Sequence, residues 1–234
     1  MIEETDFRTY LIISTNRLGI YLFDTKNFNY LYQDHLLIET KIDLINFSIL
    51  DEFLEKNIFK IEKLIGKFIN NIYLIIQTKK TNNIDIGIKK KNYDENIKNA
   101  FLESILVDAK DLFKENYPDV QIMHMVINKY IVDGNDYRSF QDNFVCDDFC
   151  LELHINFLPK NFIVEIDKVL EKYQIKIIDY LDEDYIESCF KNEKIELCMK
   201  AYKIQNGFNI NEVKLVPKKF ENKGFFEKFF QLFS

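Results

Sequence analysis

Five side chains able to bind a metal or act as nucleophiles fall within nine positions: Cys146, Asp147, Asp148, Cys150 and His154. One ion needs all its ligands within a few ångström. If residues 149–157 form the strand that their alternation suggests, Cys150 and His154 share a face but stand about 13 Å apart along it. That is too far for one ion, so no metal centre is expected. His35, His124 and His154 each fall in a run that reads as a strand, where a packed or surface histidine is the ordinary outcome. Phosphate cradles need closely spaced glycines, because backbone N–H groups must turn around the anion. The six glycines, at 19, 66, 87, 134, 207 and 224, are each more than a dozen residues from the next. A Walker or Rossmann loop is excluded on that spacing. No acid pair and no nucleophile with a base stands out, so neither an enzyme nor a cofactor protein is expected.

The other concentration of unusual residues is at the end. Gly224 to Ser234 reads Gly-Phe-Phe-Glu-Lys-Phe-Phe-Gln-Leu-Phe-Ser. Wound as a helix, Phe225, Phe226, Phe229, Phe230, Leu232 and Phe233 fall on one arc of roughly 160°, with Glu227, Lys228, Gln231 and Ser234 on the rest. Pro217 keeps the preceding segment from continuing as helix, and Lys218, Lys219 and Lys223 make the tether basic. From Val213 onward five lysines face two acids, net +3, which leaves 26 basic against 36 acidic residues, net −10, for the rest. A basic, aromatic tail on an acidic body suits an anionic bilayer surface, with each lysine near it contributing about 1 kcal/mol. The expected membrane-binding residues are therefore the five phenylalanines, Leu232, and Lys218, Lys219, Lys223 and Lys228. The alternative is a helix that docks on its own body.

The whole chain limits the classes further. With 234 residues, 47% of them hydrophobic, it can bury a real core in one or two small domains. A net charge of −7 argues against nucleic acid as the main partner. The acidic start is unlike a signal peptide, and four cysteines are too few for a disulfide scaffold of this size, so a reducing cytoplasm is expected. No run reaches the roughly 18 apolar residues of a spanning helix, so any membrane contact would be peripheral.

The elements follow from periodicity. Thr9–Ser14, Arg17–Asp24 and Asn29–Ile38 read as a three-stranded meander. A helix then runs to about Ile69, with Ser48 and Asp51 as its capping box, and Asn71–Thr78 reads as a buried strand. After the polar stretch Lys79–Asn83 comes a strand at Ile84–Lys90, a helix capped by Asp94 and stopped at Tyr117-Pro118, and a long strand Val120–Val132 ending in the turn dipeptide Asp133-Gly134. A polar loop leads to a strand at Phe149–Phe157, a helix after Pro159 and a strand at Ile175–Leu181. One more helix, to Asn206-Gly207, and a short strand or tether at Glu212–Val216 complete the pattern.

The stretch Ile122-Met-His-Met-Val-Ile-Asn-Lys-Tyr-Ile-Val-Asp-Gly134, followed by Cys150-Leu-Glu-Leu-His-Ile155 and by the helix and strand to Tyr180, resembles the bacterial cell division protein FtsA. The resemblance covers about Ile84 to Leu181 and implies that family's inserted 1C subdomain, of the SHS2 type. The opening meander is similar to the start of subdomain 1A of the actin-like fold, and the end is similar to the family's basic tether and membrane-targeting helix. Where the family has a phosphate-loop pattern Asp-x-Gly-x-x-Lys, this chain places Ser14, Asn16 and Gly19. After Leu181 the nucleotide-binding second lobe of the family has no counterpart. That lobe also carries the docking site for the tubulin-like FtsZ tail, so FtsZ would be a partner only by another route.

The expectation is thus an α/β (α+β) chain. Residues 1–83 would be a 1A-like subdomain, 84–181 an SHS2/1C-like subdomain, 182–216 a return to the first, and 217–234 the tether and amphipathic helix. Its implied role is a nucleotide-free, FtsA-like adaptor, peripheral on the inner face of the cytoplasmic membrane at the division site. It would recruit cell division proteins through residues 84–181 and could self-associate. The alternative is a soluble SHS2-type interaction module, as in FtsA or pilus-assembly relatives, whose tail packs on its own body.

Overall fold

The structure, a computed structural model, describes residues 7–38, 46–97, 99–141, 144–191 and 193–214. The meander is β1 (Phe7–Ser14), β2 (Arg17–Asp24) and β3 (Asn29–Leu37), and β4 (Asn71–Gln77) lies parallel to β1 on its other side. β1 and β4 are nearly continuous apolar runs because both faces of this sheet are covered. Leu11 and Ile13 point to one face, under α1 (Phe47–Ile65) and α3 (Lys160–Glu171). Tyr10 and Ile12 point to the other, under α4 (Glu183–Cys189) and α5 (Leu197–Gln205). Truncating a wholly buried leucine such as Leu11 to Ala should cost roughly 2–5 kcal/mol.

α1 begins differently from its expected capping box. Asn46 is the cap, its side chain accepting from the backbone N–H groups of Ser48 at 3.0 Å and Ile49 at 3.4 Å. Asp51 turns outward instead, to Lys172 and to the Tyr173 hydroxyl, and so ties α1 to the end of α3. At the other end Gly66 takes φ +73°, the left-handed turn that a β-carbon disfavours.

A second sheet is inserted between β4 and α3. Its order is β5 (Asn82–Asn96), β8 (Val145–Pro159), β6 (Val120–Val132) and β7 (Asn135–Tyr137), all antiparallel. α2 (Asn99–Asn116) covers one face, burying Ile105, Ala109 and Phe113 against Leu151, Leu153, Ile155 and Phe157. β5 continues through Asp94 to Asn96, so α2 starts at Asn99 rather than after an Asp94 cap. The expected polar loop after Asp133-Gly134 instead holds β7, turned back tightly by φ of +47° and +82° at these two residues.

The chain then returns. β9 (Lys176–Asp182) lies parallel to β4 as the fifth strand of the first sheet, in the order β3-β2-β1-β4-β9. The sequence pattern groups residues 160–181 with the second unit; here the second sheet ends at Pro159, and α3 and β9 build the first. The single helix expected after Asp182 is two, α4 and α5, joined by buried Lys200, whose Nζ reaches Glu187 at 2.6 Å.

Candidate partner-binding groove

β6 pairs with β8 along its length, but on its other side β7 reaches only Tyr130, Ile131 and Val132. The rest of that edge would present unpaired N–H and C=O groups, the usual template for an added strand. Part of it is met by the end of the described chain. The Ile127 N–H donates to the Asn211 carbonyl at 2.9 Å, the Val213 N–H donates to the Met125 carbonyl at 2.8 Å, and Val126 and Glu212 form an antiparallel bridge. Beyond Met125 the edge faces a groove of about 640 Å³, lined in part by Val120, Ile122 and Met123. Lys110 and Lys114 of α2, Lys160 at the start of α3, and Lys214 stand around it, with Asp179 of β9.

A buried polar cluster fixes the wall of this groove where the two sheets meet. The Asp182 N–H donates to Nε2 of His124 at 2.9 Å, so that nitrogen carries a lone pair and Nδ1 carries the proton. Nδ1 in turn donates to Glu212 Oε1 at 2.8 Å. The Tyr185 hydroxyl reaches Glu212 Oε2 at 3.2 Å, its ring lies 4.1 Å from that of His124, and Asn209 donates to the same hydroxyl at 3.0 Å. Asn156 Nδ2 donates to Asp182 at 3.0 Å. Burial pushes the Asp182 carboxyl above the usual carboxylate range, against the opposing bonds from the Asp184 N–H and Asn156. Burial, and then the charge of Glu212, push the Tyr185 hydroxyl up. The cluster joins β6 and β8 of one sheet, β9 and α4 of the other, and the Asn209–Glu212 segment.

The hairpin that the resemblance aligns with a phosphate loop is closed on itself. Ser14 Oγ bonds to Asn16 Oδ1 at 2.9 Å and to the Arg17 carbonyl at 3.2 Å. Arg17 Nη2 donates to both carboxylate oxygens of Glu183, at 2.7 and 2.9 Å. Gly19 is needed for packing, since a β-carbon there would come within 2.6 Å of the Tyr21 ring.

The cysteine and acid cluster is divided: Cys146 is buried in the core of the second sheet, while Asp147, Asp148 and His154 pair with charged side chains of β5. Lys91 meets Asp147 at 2.9 Å and Asp148 at 3.1 Å, Lys89 meets Asp148 at 3.2 Å, and His154 meets Asp85 at 2.7 Å. Among the described residues no three of His, Cys, Asp and Glu converge as metal ligands. His35 lies on the edge strand β3 and His124 in the buried cluster. The expected membrane residues Lys218, Lys219, Lys223, Lys228, Phe225, Phe226, Phe229, Phe230, Leu232 and Phe233 all lie outside the described residues. No described helix is long and apolar enough to cross a membrane. The sequence pattern does not single out Glu212 or the groove lysines, because nothing in local spacing pairs position 212 with position 124.

No protein-family model matches the chain, and no curated protein matches it in sequence. Among solved structures it is similar to a PilM-PilN type IV pilus biogenesis complex, at TM-score 0.50 and 8% identity over 76% of this chain and 48% of that one. It is also similar, at TM-score 0.40 and 5% identity, to the cytoplasmic domain of EpsL, an inner membrane component of the type II secretion system of Vibrio cholerae, over 77% of this chain and 58% of that one. A third is a Bacteroides thetaiotaomicron protein with an actin-like ATPase fold and unknown function, at TM-score 0.34 and 15% identity over 83% and 61%. The chain covers less than two thirds of each. At such low identity the likeness to the pilus complex shows the fold alone: a mixed α/β chain of two sheets, the second inserted into the first.

Proposed function

We propose that this chain is a non-enzymatic adaptor that holds an extended segment of a partner protein along β6 and is attached to the cytoplasmic face of a membrane by residues 217–234. The observation that carries the first half is the edge of β6 that no strand among the described residues pairs beyond Met125, beside a groove lined by Val120, Ile122 and Met123 and by four lysines. Main-chain pairing would supply affinity, and the lysines would favour a segment bearing acidic residues. The tail composition supports the second half. The residue-level resemblance to FtsA favours cell division proteins as partners. The fold shared with the PilM-PilN complex favours a pilus-type assembly. An adaptor in a membrane-associated machine is common to both.

A photoreactive residue in place of Gln121 tests the groove. The expected result is an adduct with a second protein in cells, absent when the same group replaces Lys56 on the far helix α1. Adducts of equal yield from both positions, or from neither, would refute a partner at this groove. Fractionation tests the attachment: the full chain should sediment with membranes and a chain ending at Val216 should not.

A further inference from the structure

The buried cluster that walls the groove also walls a second cavity, of about 480 Å³, where the two sheets meet. Gln77 at the end of β4, Thr81 in the turn that follows, Asn156 of β8 and Asp182 at the end of β9 line it, together with the exposed Asp184. Two oxygens in this lining lack a donor. Asn156 is 7% exposed, and its Nδ2 donates to Asp182 Oδ2 at 3.0 Å, which turns Oδ1 away from that carboxylate. Among the described residues nothing bonds to this buried Oδ1, nor to the buried Oγ1 of Thr81. Buried polar atoms are nearly always paired, so orphaned acceptors in the wall of a cavity mark a place for a donor.

The charges beside these atoms select among donors. Asp182 is 4% exposed, and its oxygens accept from the Asp184 N–H at 3.1 Å and from Asn156. The Asp184 carboxylate accepts from Gln77 Nε2 at 2.8 Å. Two carboxylates repel an anionic ligand. A calcium-like ion needs a shell of six or more oxygens, and no three of His, Cys, Asp and Glu converge among the described residues. A water or an alcohol could bond to the orphaned oxygens but would bring no charge to the buried Asp182. A primary ammonium brings three donors and a positive charge on one atom. Lys79 lines the same cavity, and its like charge keeps such binding weak.

We infer that this cavity is a site for a primary ammonium group, held by Asn156 Oδ1, Thr81 Oγ1 and the charges of Asp182 and Asp184. The group arrives on a free alkylamine or on a lysine side chain of another protein. The site goes beyond the adaptor reading and stands whether or not a partner occupies the groove.

Side-chain amide NMR of the full chain tests it, with n-propylammonium as the probe and neutral 1-propanol, of nearly the same shape, as the control. At constant ionic strength the Asn156 amide resonances should shift saturably with the amine and not with the alcohol. Thr81→Val keeps the side-chain shape and removes one acceptor, and Asp184→Asn removes a charge from an exposed position. Each should weaken amine binding severalfold while the thermal melt stays near that of the parent. No saturable shift, an equal response to the alcohol, or unchanged affinity in both variants would overturn the site and leave a cavity that holds water only. Nα-acetyl-lysine amide separates the two sources: tighter binding than propylammonium marks a protein's lysine, and equal or weaker binding marks a free amine.

Discussion

His124 and Glu212 stand 88 positions apart in the chain and meet at 2.8 Å, with side chains 1% and 5% exposed. A histidine on the long strand of the inserted sheet thereby holds the last described segment on that strand, close to where the two sheets meet. His124 also takes the N–H of Asp182, the final residue of β9, so one imidazole on β6 bonds to two other parts of the chain. Buried polar groups of this kind stabilise a junction only while each keeps its partner.

Removing Glu212 should therefore be costly. Glu212→Ala leaves the His124 N–H and the Tyr185 hydroxyl without their acceptor, and a buried unpaired group of this kind costs about 1–3 kcal/mol. Glu212→Gln keeps an acceptor for His124 and should lose clearly less. Urea unfolding of the two variants checks this, and equal destabilisation would mean that the bond to His124 contributes little.

The pair between Arg17 and Glu183 predicts a pH dependence. Burial raises the Glu183 carboxyl above its ordinary value, and the Arg17 guanidinium opposes that rise. A raised folded-state value means the folded chain binds the proton more tightly, so this group's unfavourable contribution is largest above that value and is relieved as pH falls through it. Arg17→Ala removes the opposing charge and raises the carboxyl further. Its destabilisation, about 1–3 kcal/mol at neutral pH for a partly exposed pair, should shrink as pH falls toward the ordinary carboxylate range. Stability curves of parent and variant at neutral and acid pH measure this, and a loss that stayed constant or grew in acid would contradict it.

The thiols should divide into two classes. Cys198 is wholly buried and its thiol is pushed up to about 12, chiefly by burial, while Cys146 is also buried. Cys150 and Cys189 are half-buried. Thiolate is the reactive form, so a disulfide reagent at pH 8 should titrate Cys150 and Cys189 in the folded chain and reach the other two only on unfolding. Modification of Cys198 at the rate of Cys150 in native conditions would count against this packing of α5.

For the tail, replacing Phe226 and Phe230 with Asp should abolish sedimentation with anionic liposomes and leave the thermal melt of the body unchanged. A short interfacial helix gains only partial burial and must be ordered on binding, so affinity should fall steeply with salt and with loss of anionic lipid. A melt lowered by many degrees would instead place the helix on its own body.

Much of the fold is legible from local pattern. The residues of β2 and β6 follow from β-rich runs bounded by turn residues, and the alternation of Leu151, Leu153, Ile155 and Phe157 against Cys150, Glu152 and His154 gives the inner and outer faces of β8. What period cannot supply is the identity of a strand's neighbour. Ile175–Leu181 reads as a strand, yet only three-dimensional packing shows that it pairs with β4 across the insertion. The α1 cap escapes the pattern because Asn46 and Ser48 are both good caps and the backbone turn decides between them. At the groove, the β6 sequence gives its length but not that β7 stops after three residues. The lysines around it come from three separate elements and have no common spacing.

The place where the inserted sheet joins the first has a consequence for how the chain folds. β5 and β8, its first and last strands, pair at Asn82 with Phe157, so the chain leaves β4 and comes back toward α3 at neighbouring points. The parallel pairing of β4 with β9 must otherwise close a loop of roughly a hundred residues. Once β5 and β8 are zipped, the effective loop falls to about a quarter of that, which lowers the closure cost by about 1.2 kcal/mol. Early formation of the inserted sheet would thus speed completion of the first one, and slow folding of the inserted unit would leave β4 and β9 as exposed, unjoined edges during synthesis.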